Sequence, residues 1–375
     1  MTSEEKLKLI TRNLEEVLTE EELKRLIESD TPLRHYIGFE ISGKFHIGYL
    51  LVLNKVKDLQ EAGAETIIWL ADIHSAINDK LGGDLETIKN IGKNYFTDGI
   101  KAIFESIGGD PEKLIFKTTS EVYGENPQFW LTFLEMGKTT SLARTKRSLT
   151  IMGREQSDDS IDTAKLMYPI LQAADIFLLQ ANIAHAGIDQ RKVHVIARDN
   201  ALQIKTNALK DINGNPIKPV AIHHPILLGL QIEESNLTGE VDEQAMRSKM
   251  SKSKSDSGVL IHDLPEEIRK KINAAYAPEG QVENNPILNW TRYLVFYEDN
   301  VNFSIKRDPK WGENLTYTSY EDLEKDYAEK KLHPQDLKTA VAEWLIDKLE
   351  PARKYFEEPE RQKALKEIER LTIKV

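Results

Sequence analysis

The sequence contains no cysteine. This absence excludes a disulfide framework, a thiol nucleophile and zinc or iron–sulfur sites with cysteine ligands. No apolar run approaches the roughly 18 residues of a membrane-spanning helix. The first residues, MTSEEKLKLI, are charged and lack the apolar segment of a secretory signal. These absences predict a soluble, cytoplasmic protein that needs neither disulfides nor cysteine-bound metal.

The chain has 375 residues, which favours two domains over one. It carries 50 basic and 61 acidic residues, a formal charge of −11. A net-acidic protein is not attracted to nucleic acid as a whole, so any contact with RNA must come from local basic segments. Two such segments are KTTSLARTKRS (138–148) and RSKMSKSKS (247–255). A single basic cluster is more often a solvated face, so neither segment establishes binding alone.

Nearly continuous apolar strands alternate with helical segments after residue 30, a pattern typical of a parallel sheet covered by helices. The predicted fold is α/β, with a Rossmann-like parallel sheet and helices on both faces, followed by an all-helical C-terminal domain. The predicted strands are Tyr36–Ile41, Thr66–Asp72, Lys113–Lys117 and Pro219–Leu227, and the predicted helices include Ile47–Ala62 and Asp84–Ile107. The predicted divisions are N-terminal helices at 1–30, a catalytic domain at 31–233 with an insert at about 120–165, a loop and linker at 234–264, and a helical domain at 265–375.

The stretch YIGFEISGKFHIGYLL (36–51) joins a predicted strand to a predicted helix. Gly38 and Gly43 allow the backbone to approach a ligand, and His46 stands where the helix should begin. The start of a helix favours anions, phosphate above all, and Lys44 would add positive charge. An ordinary tight turn with a hydrogen-bonded histidine explains this segment equally well.

The stretch YPILQAADIFLLQ (168–180) predicts a buried helix, with Pro169 as its first residue. Tyr168, Gln172 and Asp175 fall at i, i+4 and i+7 and therefore form one polar stripe. Buried polar groups must find partners, because leaving them unpaired is costly. A hydrogen-bond network between helices could satisfy them, but three aligned polar groups favour a ligand-binding seam.

The stretch GIDQRKVHVIAR (187–198) places Gln190, Arg191 and Lys192 in a first helical turn. Basic residues there oppose the helix dipole, which suggests an external partner, although solvated charge is the simpler explanation. The stretch KMSKSKS (249–255) belongs to a segment with four basic residues between Arg247 and Lys254. Its composition predicts a loop that closes over a polyphosphate and supplies charge in the transition state.

Two of these segments resemble the signatures of the class I aminoacyl-tRNA synthetases. HIGY (46–49) is similar to the first signature and KMSKS (249–253) matches the second, in that order and about 200 residues apart. Within this class, the chain resembles the tyrosyl-tRNA synthetases of the archaeal and eukaryotic type from Tyr36 to about Phe356. The segments that carry this resemblance are YIGFE, ADIHSAIND, YPILQAADI, GIDQRKVHVIAR and KLHPQDLKTAVAEWLIDKLEP.

The resemblance implies ATP-dependent activation of L-tyrosine and transfer of the tyrosyl group to the 3′ end of tRNA(Tyr). It also implies a homodimer formed through the insert, and ATP with Mg²⁺ as cofactor without a tightly bound metal. The residues it assigns to L-tyrosine are Tyr36, Glu40, Tyr168, Gln172, Asp175 and Gln190. Those assigned to ATP are Gly38, His46, Gly48 and Lys252, and those assigned to catalysis are His46, Gly48, Lys249 and Lys252. Those assigned to tRNA are Arg144, Lys146, Arg147 and Arg191, together with Trp311, His333 and Asp336 at the anticodon.

Two positions depart from the family pattern. Tyr49 replaces the second histidine of the first signature, and Ile41 stands where this type usually has proline. Tyr49 raises a question about the geometry at the ATP phosphates. Three alternatives stay open at this point: a tryptophan–tRNA ligase, a catalytically silent synthetase-like RNA-binding protein, and a small-molecule nucleotidyltransferase. Amino-acid-dependent exchange of pyrophosphate would separate them.

Overall fold

The computed structural model describes residues 1–153, 161–231 and 258–372, apart from the side chain of Trp311. Lys249, Lys252 and the rest of the KMSKS segment lie outside the described residues. The α-helices are α1 Ser3–Thr11, α2 Glu20–Glu28, α3 Gly48–Glu61, α4 Asp72–Ile77, α5 Leu85–Ile91, α6 Thr97–Ser106, α7 Thr119–Glu125, α8 Phe129–Thr139, α9 Leu142–Arg147, α10 Thr163–Leu178, α11 Arg191–Asn200, α12 Pro265–Asn273, α13 Pro286–Trp290, α14 Tyr320–Ala328, α15 Pro334–Tyr355 and α16 Pro359–Thr372. Tighter 3₁₀ turns are Lys80–Gly82, Pro111–Lys113, Ser148–Met152, Ile188–Gln190 and Pro309–Trp311, and π turns are Gly92–Phe96 and Thr291–Val295.

A six-stranded sheet in the order β1-β6-β5-β2-β3-β4 forms the centre of the molecule. All neighbouring pairs are parallel except β1, which runs antiparallel to β6. The predicted α/β fold with a parallel sheet is therefore confirmed. The strands are β1 Glu16–Leu18, β2 Arg34–Phe39, β3 Glu65–Leu70, β4 Leu114–Thr118, β5 Ile183–Gly187 and β6 Val220–His224, with β7 Phe303–Ile305 and β8 Leu315–Tyr317 elsewhere.

The two faces of the sheet pack against different groups of helices. Since successive side chains of a strand point to opposite faces, Ile37 and Ile68 pack on one side and Tyr36 and Trp69 on the other. The first side contacts α3, α6 and the C-terminal helices through one large apolar core. The second side contacts α10 and the helices around it. This arrangement brings Tyr36 and Trp69 to the face that α10 covers.

Three predictions about these elements need correction. Pro169 does not begin its helix: α10 starts at Thr163, where the Asp162 side chain accepts the N–H of Lys165 at 2.9 Å. The predicted helix Asp84–Ile107 contains a π turn, where a Cβ added at Gly92 would lie 2.6 Å from the Ile41 side chain. Strand β1 within the predicted helical N-terminal segment was not anticipated either.

The C-terminal region is mainly but not entirely helical. Strands β7 and β8 form a two-stranded antiparallel ribbon between α13 and α14, which corrects the all-helical prediction. The last helix, α16, lies against α5 and the π turn Gly92–Phe96. Its Glu369 pairs with Lys44, and Phe356 just before it packs on the ring of Tyr95 at 5.7 Å between centroids. The charged C-terminal stretch is thus part of the packed structure as far as residue 372.

Candidate active site

The residues predicted to bind a ligand lie where the strand order of the sheet reverses. From β2 the chain proceeds outward through β3 and β4, then crosses to β5 and β6 on the other side of β2. Open α/β sheets bind ligands at this switch point, outside the carboxyl ends of the strands. Glu40 directly follows β2, and Gln190 ends the 3₁₀ turn directly after β5. These two residues therefore border the same crevice.

The polar stripe of α10 faces that crevice. The Tyr168 hydroxyl donates to Glu40 Oε1 at 2.8 Å, and Gln172 Nε2 donates to Gln190 Oε1 at 3.2 Å. Asn78 also donates to Glu40 Oε1, at 2.8 Å. The structure thus brings Tyr168 to Glu40, 128 positions away in the sequence, and Gln172 to Gln190.

Asp175 is the most enclosed member of the stripe, with 1% of its surface exposed. Trp69 Nε1 donates to Oδ2 at 2.9 Å, and the Tyr123 hydroxyl donates to Oδ1 at 2.5 Å. Burial raises the pKa of Asp175 to about 8, and the hydrogen bonds from Tyr123 and Trp69 oppose that rise. Burial, and next the charge of Asp175, raise the pKa of Tyr36 above its ordinary value. The charge of Asp175 thus acts on the Tyr36 hydroxyl in an apolar setting.

Several polar atoms at this site have no hydrogen-bond partner. The Tyr36 hydroxyl bonds to none of the residues that the structure describes, although the residue is buried. The same holds, within the described part of the chain, for Gln172 Oε1 and both ring nitrogens of His74. His74 Nε2 lies 3.5 Å from Asp175, and burial lowers the pKa of this histidine to about 4, so its ring is neutral. Buried polar atoms without partners are rare and mark places where a ligand can supply the missing bonds.

Sequence reasoning did not identify Trp69, His74 or Tyr123 as site residues. Two of them carried a usable signal. Trp69 is a large aromatic residue near the carboxyl end of a strand, and it lies opposite Gly38 in the register of β2 and β3. His74 belongs to ADIHSAIND, which follows that strand directly. Tyr123 gave no comparable signal, because only the fold places α7 beside α10.

The loop between β2 and α3 forms the other half of the site. Gly38 is exposed at the end of β2, and Gly43 has a φ of 66°, a conformation that glycine adopts without strain. The N–H of Gly48 donates to His46 Nδ1 at 3.1 Å, and the N–H of Tyr49 donates to the His46 carbonyl at 3.0 Å. The free N–H groups expected at the start of α3 are therefore bonded within the turn, and what remains for an anion is the helix dipole.

The chain that follows the KMSKS segment lies directly beside this loop. The N–H of Ile47 donates to the Val259 carbonyl at 3.0 Å, and the N–H of Ile261 donates to the Phe45 carbonyl at 3.1 Å. Backbone hydrogen bonds thus connect this loop to the chain at residues 259–261.

The structure shows the contacts of Ile41 and Tyr49, the two residues that depart from the family pattern. The N–H of Ile41 donates to Ser75 Oγ at 2.8 Å, a bond that proline could not make. Tyr49 is buried against Phe39 and meets Phe45 edge-on at 4.5 Å between ring centroids. Tyr49 therefore serves the apolar core next to the crevice.

The predicted RNA-binding residues of the insert and α11 differ in their availability. Arg144 pairs with Asp199 at 2.5 Å, and Arg191 donates to both carboxylate oxygens of Glu16 at 2.9 Å. Lys146 and Arg147, by contrast, are exposed at the end of α9. The basic segment thus offers three exposed cations, Lys138, Lys146 and Arg147, whereas Arg191 connects α11 to β1.

Two of the residues predicted at the anticodon, His333 and Asp336, lie at the start of α15. His333 precedes α15, and its Nδ1 accepts the N–H of Gln335 at 3.1 Å. Asp336 pairs with Arg307 at 3.0 Å. Trp311 ends the short 3₁₀ turn Pro309–Trp311.

No group of three or more acidic or histidine side chains suited to a metal ion occurs in the described ranges. Among these same residues, no helix has the length and apolar character to cross a membrane.

Comparison with known proteins gives consistent matches over nearly the whole chain. A family model described as tRNA synthetases class I (W and Y) matches residues 28–350. The tyrosine–tRNA ligase of Thermococcus sibiricus is 48% identical over 375 residues, covering 98% of this chain and 99% of that protein. That of Thermococcus onnurineus is 50% identical over 372 residues, with 97% and 98% covered. The crystal structure of tyrosyl-tRNA synthetase from Pyrococcus horikoshii, complexed with L-tyrosine, superposes with a TM-score of 0.93 at 46% identity, covering 99% and 100%.

Proposed function

The chain belongs to the class I tRNA synthetases of the W and Y family, and we propose that the crevice described above binds L-tyrosine, ATP and the end of a tRNA. The chain is an aminoacyl-tRNA synthetase with the activity of a tyrosine–tRNA ligase. The observation that carries the assignment of the site is the buried pair of Asp175 and Tyr36, whose hydroxyl has no hydrogen-bond partner among the described residues. Such a pair is suited to bind a phenol.

For the amino acid, we propose that its hydroxyl lies between Asp175 and Tyr36. The ammonium group would interact with Tyr168 and with Gln172, whose buried Oε1 lacks a partner among the described residues. Gln190 is held by its bonds to Gln172 and to the Ile151 carbonyl at 2.9 Å. Glu40 lies beside these groups and adds negative charge for the ammonium. The stripe thus supplies an acceptor at each polar end of tyrosine.

For ATP, supplied as its Mg²⁺ complex, we propose that the phosphates lie along the loop of Gly38, His46 and Gly48. Lys249 and Lys252, which lie outside the described residues, would neutralise the departing pyrophosphate. The tyrosine carboxylate oxygen attacks the α-phosphorus and the bond to pyrophosphate breaks. The 3′-terminal hydroxyl of tRNA then attacks the tyrosyl carbonyl and releases AMP. Positioning and charge stabilisation supply the rate enhancement, without a covalent enzyme intermediate.

For tRNA(Tyr), we propose that Lys146 and Arg147 contact the acceptor stem, together with Arg144 and Arg191 after their pairs rearrange. The region 265–375 would then read the anticodon, with Trp311, His333 and Asp336 at the end of α15. Exposed lysines and arginines provide the phosphate attraction that an acidic protein otherwise lacks. We propose that the protein acts in the cytoplasm, where aminoacylation of tRNA supplies protein synthesis.

We also propose that the insert forms the interface of a symmetric homodimer. Large apolar side chains are exposed on α8 and α9, namely Trp130, Leu131, Leu134 and Leu142. Adjacent exposed apolar residues in a soluble protein mark interaction surfaces. A two-fold interface uses the same surface on both subunits, which one such patch can provide.

The experiment that tests the function is ATP–pyrophosphate exchange with each of the twenty amino acids. We expect exchange with tyrosine and none of comparable rate with tryptophan or phenylalanine, because only tyrosine satisfies Asp175 and Tyr36 together. Subsequent charging of tRNA(Tyr) measures the second step. Exchange that depends on tryptophan would assign the chain to the sibling activity, and no exchange at all would favour a silent RNA-binding protein.

A small change in the KM for ATP is expected when the partner of Lys44 is removed. The Lys44 ammonium lies 3.2 Å from Glu369 of α16. Replacing Glu369 with glutamine releases Lys44 to approach the ATP phosphates. The KM for ATP should fall about two- to threefold, a change in the range of partly exposed ion pairs. The measurement is ATP-dependent exchange at low salt, where such pairs are least screened.

Glu367 provides the matched control for that variant. It lies on the same helix and accepts from the Asn90 side chain at 3.3 Å without contacting the loop of Lys44. Glu367→Gln should leave the KM for ATP unchanged. Equal KM values in the two variants would show that Glu369 does not compete for Lys44.

A further inference from the structure

The Asp175 carboxylate is held by two aromatic donors from different parts of the fold. Trp69 lies on β3, 106 positions before Asp175, and Tyr123 lies on α7, 52 positions before it. Both are buried, with 1% and 4% of their surfaces exposed. The ring of Tyr123 is itself fixed by stacking on Phe129, with 3.8 Å between centroids. The carboxylate is thus clamped on both oxygens by rigid groups.

This clamp determines which parts of the carboxylate a substrate can reach. An ionised carboxylate offers about four lone-pair positions, two on each oxygen. Trp69 uses one position on Oδ2 and Tyr123 uses one on Oδ1. Two positions stay available, one on each oxygen, and the charge of Asp175 acts on the nearby Tyr36 hydroxyl. A substrate hydroxyl in that place can donate to Asp175 and accept from Tyr36.

We propose that Trp69 and Tyr123 are positioning residues that determine the selectivity for tyrosine over phenylalanine, by favouring the ionised form of the buried Asp175 and orienting it towards the substrate hydroxyl. This inference rests on the proposed binding of tyrosine at the α10 stripe. A neutral carboxyl group tolerates an apolar ring edge far better than a buried carboxylate does, since an unpaired buried charge is much more costly than an unpaired dipole. Rejection of phenylalanine therefore depends on the charge of Asp175, and the two donors stabilise that charge.

The pH dependence follows from the same geometry. Burial raises the pKa of Asp175 to about 8, so its ionised fraction grows as the pH rises through the neutral range. The ionisable groups that face it are Tyr36 of β2, the neutral His74 of α4, Tyr123 of α7 and Tyr168 of its own helix. The tyrosines stay protonated in this range, because burial raises each of their pKa values, and His74 stays neutral because burial lowers its pKa. Asp175 is therefore the group expected to titrate, and the ratio of kcat/KM for tyrosine to that for phenylalanine should rise from pH 6 to pH 9.

The test uses Trp69→Phe and Tyr123→Phe, each of which removes one donor and keeps an aromatic ring. Loss of a bond to a charged group should lower the tyrosine-to-phenylalanine ratio at pH 7 about tenfold or more. The midpoint of its pH profile should move to higher pH, because Asp175 loses a group that favours its ionised form. The KM for tyrosine should rise more than kcat falls. Pyrophosphate exchange with the two amino acids between pH 6 and pH 9 measures all three quantities.

The chain offers a matched control for each variant. Trp290 is a buried tryptophan that donates to the Leu228 carbonyl at 2.8 Å, and Tyr297 is a buried tyrosine that donates to Asp58 at 2.6 Å, both away from the crevice. Trp290→Phe and Tyr297→Phe should keep the parental ratio and pH midpoint, whatever they do to stability.

The possible results distinguish a failure of this inference from a failure of the proposed function on which it rests. If Trp69→Phe and Tyr123→Phe keep the parental ratio and midpoint while the parent is active with tyrosine, the positioning role is overturned and the function stands. If the control variants shift the ratio as much, a purely structural effect replaces the proposed role. If the parent itself shows no exchange with tyrosine, the proposed function is overturned and the inference with it.

Discussion

Replacing Asp175 with alanine should lower kcat/KM for tyrosine in pyrophosphate exchange by on the order of 10³, from the loss of hydrogen bonds to a charged group and the exposure of buried donors without partners. The substrate hydroxyl loses its acceptor, and so do Trp69 and Tyr123, whose donors now bond to Asp175. Tyr36 alone cannot satisfy the phenol. Its hydroxyl donates to the substrate oxygen, and the proton of the substrate hydroxyl is then left without its acceptor. Enzymes with this activity are the usual illustration of selectivity that depends on bonding a substrate hydroxyl.

The same variant should leave ATP binding nearly unchanged. None of the hydrogen bonds of Asp175 involves Gly38, His46 or Gly48, which are proposed to hold the phosphates. The KM for ATP, and its direct binding in the absence of tyrosine, are therefore internal controls measured on one preparation. A parallel loss of ATP binding would indicate a folding defect. Exchange at the parental rate would remove Asp175 from the tyrosine site.

Asp175→Asn refines this prediction, because it keeps the shape and removes the charge. An amide oxygen can accept from Tyr123 or from the substrate, but the amide nitrogen faces the indole N–H of Trp69 with a donor instead of an acceptor. We expect activity between that of the parent and that of Asp175→Ala. We also expect weaker rejection of phenylalanine, since no buried charge is then left unpaired.

The sequence predicts best those parts of the fold that depend on local patterns. Apolar runs and their breaks located β2 and α3 to within one or two residues, and spacing alone aligned Tyr168, Gln172 and Asp175 on one helix face. The start of α10 was missed for an equally local reason. A proline normally marks the first turn of a helix, but Pro169 occupies the interior of this one.

The features that the sequence could not predict depend on contacts between distant segments. Strand β1 has three residues and exists because Glu16 pairs with His223, some 200 positions away. The donors of Asp175 come from β3 and α7, and no periodicity connects either element to α10. Likewise, Lys44 meets Glu369 only because α16 folds back onto the catalytic region. Such contacts are consequences of the tertiary fold, and they determine how each site residue is oriented and charged.

The largest effect on stability is expected at Asp58, a fully buried carboxylate on α3. It accepts from Arg12 Nη2 at 2.5 Å, from Lys55 at 2.8 Å and from the Tyr297 hydroxyl at 2.6 Å. This cluster connects the segment after α1, helix α3 and the chain after α13. Asp58→Ala should lower the free energy of unfolding by about 3–5 kcal/mol, the usual cost of leaving buried charges without their partner. Urea unfolding measures the change directly.

Two further variants test whether unpaired buried charge is the cause of that loss. Asp299 pairs with Lys8 in the same region, at 3.5 Å, but both side chains are more than two-thirds exposed. Asp299→Ala should therefore change the urea midpoint little, since exposed pairs contribute little to stability. The double variant Asp58→Asn with Lys55→Met should be more stable than Asp58→Ala, because Lys55 is 1% exposed and its ammonium is then no longer buried without a partner. Equal losses in Asp58→Ala and Asp299→Ala would contradict this account, because burial is the property that separates the two carboxylates.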